Sequence, residues 1–74
     1  MYLYQGLKVR QIKPYPLDEY FTLNTVLLDF RVLELNRSLV RLYRNISCQD
    51  GQIGQFIIDV PEELMVKYFQ SMDS

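Results

Sequence analysis

Side chains that move protons or attack electrophiles at neutral pH are scarce in this chain. Histidine, the usual general base, is absent from all 74 residues. Cys48 is the one thiol. It has no imidazole to activate it, and a turn-flanking thiol of ordinary acidity is a poor nucleophile, so it reads as a small half-buried packing residue. Ser38, Ser47, Ser71 and Ser74 lie in no nucleophile-elbow pattern. The carboxylate pairs Asp18-Glu19 and Glu62-Glu63 fall at expected helix starts, where negative charge meets exposed amide groups. A hydrolase built on them would also need a cleft that so small a core rarely encloses. No Cys/His set suits zinc, and Asp50 and Asp59 are too sparse for a calcium loop. These residues predict no enzyme, no cofactor and no metal site.

Binding is the chemistry that remains. Lys8, Arg10, Lys13, Arg31, Arg37, Arg41 and Arg44, with Tyr15 and Tyr43 nearby, are residue types that track phosphates while aromatic rings stack on bases. The candidate partner-binding residues are Arg31, Arg37, Arg41, Arg44 and Tyr43. Residues 1–46 carry seven basic and four acidic side chains, and residues 47–74 carry one and five, so balances of +3 and −4 make the net −1. The isoelectric point of about 5.2 is low for a dedicated nucleic-acid binder. Gly51-Gln52-Ile53-Gly54 has the G-x-x-G outline that clamps nucleic-acid backbones in some domains. Here no basic residue lies inside it and an apolar run follows, so it reads as a turn.

The elements that must position these groups are read from apolar spacing. Residues 2–13 suggest a strand with Leu7, Val9 and Gln11 on one face, stopped by Pro14 and Pro16. The stretch 18–46 supports two readings. As a helix over about 27–46, Leu28, Val32, Leu35, Leu39, Leu42 and Ile46 form one stripe, extended backwards by Leu17 and Phe21, with Asp18 as an N-cap. As strands, Val26, Leu28, Phe30 and Val32 alternate, and a turn near Asn36-Arg37-Ser38 leads to a second strand. The helix is the preferred reading. Asp50-Gly51 marks a turn, Gln55 to Val60 a buried strand, and Pro61 with Glu62 and Glu63 the start of a last helix over about 61–72. The predicted fold is therefore one α+β domain spanning 1–74. A small antiparallel sheet would be covered by a central amphipathic helix and a C-terminal helix. The alternative is a four-stranded β meander with one C-terminal helix.

The segment Gly6-Leu7-Lys8-Val9-Arg10 resembles the first strand of SH3-like barrels. The likeness covers about a dozen residues, fails beyond them and carries no residue role. One cysteine points to a reducing compartment, so a cytoplasmic protein is expected. The N-terminus has no signal-peptide pattern, and no apolar run is long enough for a membrane span. The expected function is a small protein-binding module: a regulator, adaptor or inhibitor of a larger protein, or a homodimer through its leucine stripe. Alternatives are a nucleic-acid binder using the Arg/Tyr face and an accessory subunit of an enzyme assembly.

Overall fold

The computed structural model describes residues 1–20, 22–24 and 27–73. The chain forms β1 (Lys8–Gln11), β2 (Tyr15–Pro16), β3 (Thr22–Leu23), β4 (Asp29–Asn36), β5 (Leu39–Ser47), β6 (Ile53–Pro61), α1 (Glu62–Tyr68) and β7 (Phe69–Ser71). Five strands make one antiparallel sheet in the order β6-β5-β4-β1-β7, and β2 pairs with β3 apart from it. The helix contacts both β6 and β7, the two outer strands. Fold alone implies no ligand.

The central helix is overturned: residues 29–36 and 39–47 are two strands of a hairpin. The stripe that imitates a helix has a structural cause. Ladder pairing shifts between Val32 and Glu34, where a bulge adds one residue and converts an even step into the three-residue step from Val32 to Leu35. The steps 28 to 32 and 42 to 46 are even and fit a strand as well as a helix. The hairpin turn at Arg37-Ser38 breaks the stripe, with Asn36 opposite Leu39; Leu39 and Leu42 lie three residues apart within β5 and so on opposite faces, Leu39 exposed and Leu42 buried. The chain also contains no alanine, the strongest helix former. Phe21 and Val26, which the two readings used, lie outside the described residues. Asp18 caps no helix; its carboxylate accepts the Tyr20 amide at 2.7 Å.

The C-terminal helix is shorter than expected, at seven residues, and a strand follows it. Pro61 sits just before it with ψ 135°, and Glu62, Glu63 and Lys67 take the ends that suit the helix dipole. It stops because Phe69 is extended and buried, contributing to β7. The four-stranded meander fails too, since the sheet has five strands and the last follows the helix.

The core lies on one face of the sheet: Val9, Phe30, Val32, Val40, Leu42 and Val60 from the strands, capped by Met65 and Phe69. Each such side chain contributes about 1.5–3 kcal/mol when fully buried. Phe30 and Phe69 meet edge-to-face at 5.8 Å, and Tyr15 and Tyr68 do so at 5.1 Å. Tyr15 belongs to the long excursion between β1 and β4, which Gln11 holds down. Its buried side-chain amide donates to the carbonyls of Lys13 (3.0 Å) and Leu23 (2.9 Å).

Candidate functional site

β4 serves two partners in turn. Asp29, Phe30 and Arg31 pair with β1, whereas Arg31 through Asn36 pair with β5. Backbone bonds from Gly6 and to Leu7 extend the β1 side as far as Val32, so β4 is paired on both edges only around Arg31 and Val32. Beyond the Arg31–Tyr43 pair the ladder between β4 and β5 ends, while β5 keeps its pairing with β6 out to Ser47. The two strands therefore part, and a cleft of about 260 Å³ opens between them. Lys8, Asp29, Arg31, Tyr43, Arg44 and Asn45 line it above Phe30.

The cleft is basic. Asp29, its one carboxylate, is already engaged by Arg10 at 2.8 Å and Lys8 at 3.4 Å. The hydrogen bond from Arg10, reinforced by the charges of Arg10 and Lys8, holds the Asp29 carboxyl below its usual range, and the same bond raises Arg10. Arg31 leans back to donate to the Gly6 carbonyl at 3.0 Å. Arg44 lies on the core-side face of β5, opposite Phe56, with its guanidinium carbon 5.7 Å from the centroid of the Phe30 ring. Its Nη1 is buried and has no hydrogen-bond partner among the described residues. The alternation of the β5–β6 ladder also turns the Asn45 backbone towards the gap, where it finds no partner on β4 among the described residues. The cleft thus combines fixed positive charge with a guanidinium nitrogen that is covered and has no partner among the described residues.

Of the five residues singled out from the sequence, the structure brings together Arg31, Tyr43 and Arg44. Arg41 is elsewhere on the outer face, held at both carboxylate oxygens of Asp59 (2.9 and 3.2 Å) and within 3.8 Å of Glu34. That bond lowers Asp59 and raises Arg41. Arg37 sits at the hairpin tip with φ 58°, roughly 20 Å along the strands from Tyr43 at about 3.3 Å per residue. Lys8 joins the site because it pairs with Arg31 across β1 and β4. A sequence count of basic residues includes Lys8 but cannot place it. Phe30 and Asn45 carry no sequence signal for a site.

A larger depression of about 440 Å³ lies between Met1, Leu3, Ser38 and the helix, with Glu62 and Glu63 at its edge. None of the orphaned polar atoms found among the described residues belongs to it, which is why the smaller cleft is the better site. Cys48 is exposed, not half-buried as the sequence suggested. Among the described residues no group of three His, Cys, Asp or Glu could hold a metal, and no helix is long and apolar enough to cross a membrane. No protein family, curated protein or solved structure matches this chain.

Proposed function

We propose that this chain is a non-catalytic binding module, a regulator or adaptor in the cytoplasm that receives an acidic segment of a larger protein in the β4/β5 cleft. The observation that carries the reading is the buried, unpartnered Nη1 of Arg44. A buried donor left unsatisfied costs about 1–3 kcal/mol, more for a charged group, and a carboxylate removes that cost on arrival. Guanidinium groups bind carboxylates through a planar fork, and Arg and Tyr are the side chains that most often dominate protein interfaces.

The test is an NMR titration of the intact chain with a short oligoglutamate peptide, and separately with oligothymidylate at low salt. Saturable shifts at Lys8, Arg31, Tyr43 and Arg44 with the peptide, abolished by Arg44→Met and unaffected by Arg37→Glu, are expected. Silence with both probes would remove the proposal. Response to the oligonucleotide alone would favour a second reading, nucleic-acid binding. One feature supports that reading: the half-buried Tyr43 ring stands directly across from Arg31, next to the guanidinium that would meet a phosphate.

A further inference from the structure

β6 is a nine-residue edge strand, Ile53–Pro61, paired only with β5. Long apolar edges invite another strand, and proteins usually blunt them by shortness, lysine, proline or a bulge. The opposite edge, β7, is blunted by shortness at three residues. β6 is not blunted: it has no Lys or Arg, its one proline is the last residue, and its one charge, Asp59, is neutralised by Arg41. Ile53 and Ile57 remain 77% and 47% exposed.

The hairpin fixes which backbone groups are free. The Cys48 amide bonds to the Gln52 carbonyl at 2.8 Å, closing the turn as a ladder pair. Alternation then directs the even-numbered residues of β6 towards β5 and leaves Ile53, Gln55, Ile57 and Asp59 facing the open edge. Pro61 falls in the same outward phase, so its missing N–H costs the β5 ladder nothing.

We propose that β6 pairs antiparallel with β6 of a second copy of this chain, about a two-fold axis through Ile57. Ile57 is the midpoint of the strand, so this register uses its whole length. Ile57 meets its own copy, Gln55 meets the second copy's Asp59, and Ile53 meets the second copy's Pro61. The side chains agree with it. On the outer face the cross-strand row Lys8, Arg31, Tyr43, Ile57 runs into its mirror, joining the isoleucines and tyrosines at the centre with the basic groups outermost. The Gln55 amide is an uncharged donor for the facing carboxylate of Asp59, so no like charges meet. The β6 edge forms no part of the β4/β5 cleft, but the row brings the cleft's Tyr43 beside the junction, so dimerisation is tested on the chain without ligand.

Sedimentation velocity from about 10 μM to about 1 mM protein reads the association directly. A concentration-dependent monomer–dimer equilibrium is expected for the native chain. Ile57→Lys places two ammonium groups on the axis and should leave a monomer with an unchanged circular dichroism spectrum. Amide exchange of the native chain supplies a test independent of any variant. The Gln55, Ile57 and Asp59 amides should become protected as concentration rises, whereas those of Phe56 and Ile58 stay protected throughout. A monomer at every concentration, or a dimer indifferent to Ile57→Lys, or protection gained at β7 instead, would overturn the proposal.

Discussion

The guanidinium of Arg44 rests over the ring of Phe30, 5.7 Å from its centroid, at the point where β5 leaves β4. The two residues would face each other if the ladder continued one step beyond Arg31 and Tyr43. Instead a ring supports a cation where backbone pairing has ceased. A cation–π contact is worth about 0.5–2 kcal/mol, depending on desolvation. An unsatisfied buried donor costs about as much or more, so the pair is held in readiness rather than at rest.

Arg44→Met should therefore leave the free protein as stable as before or more stable by about 1 kcal/mol, since the unbranched stem is kept and the orphaned donor removed. Urea unfolding measures this. Oligoglutamate binding should vanish in the same variant, separating the role of the guanidinium from any role in folding.

Acid should weaken the fold through its outer-face ion pairs. Asp29 is lowered by its hydrogen bond from Arg10, and Asp59 by its hydrogen bond from Arg41. A carboxyl lowered in the folded state contributes stability that is present above its unfolded pKa, about 3.9, and is lost as pH falls through the folded value. The urea midpoint should stay level down to about pH 5 and decline below about pH 4. In Asp29→Asn and Asp59→Asn together that decline should flatten. Both sites are exposed enough for salt to shrink the effect.

Arg37→Gly should stabilise the β4–β5 hairpin. Arg37 occupies a left-handed conformation with φ 58° in a two-residue turn, a position that suits glycine. The left-handed penalty of about 1–2 kcal/mol exceeds the entropic cost of a glycine by a few tenths to about 1 kcal/mol. The melting temperature should rise, and peptide binding at the distant cleft should not change.

Phe69→Ala should cost about 3–5 kcal/mol, most of what so small a chain can spare. Phe69 is 1% exposed and touches both Phe30 and Tyr15. Loss of near-UV dichroism at room temperature is the expected sign.

What the sequence disclosed was the pattern of single strands, not the partners they choose. Leu7, Val9 and Gln11 were legible as one face of a strand, and all three are buried. The turn at Asp50-Gly51 was legible from its residues, and Gly51 has φ 85°. The hairpin of residues 29–47 was misread because even strand steps, a bulge and an outward-facing Leu39 together copied a helical period. Arg31, Tyr43 and Arg44 were candidates by type, yet nothing local could distinguish them from Arg41, whose charge is taken by Asp59 eighteen residues away. The cleft itself arises from β4 changing partners, a long-range event that no window of sequence records.

Gln11 has a consequence for how this chain can change. Its side chain grips Lys13 and Leu23, while its backbone exchanges bonds with Leu27 and Leu28, so one residue fastens both roots of the excursion. The sheet then senses where the excursion leaves and returns far more than how long it is. Loop closure costs only about 0.6 kcal/mol more for each doubling of length. Residues between Pro16 and Thr22 can be lengthened, shortened or exchanged for a grafted peptide while the strands keep their register, which makes this stretch the natural port for engineering or for evolutionary drift.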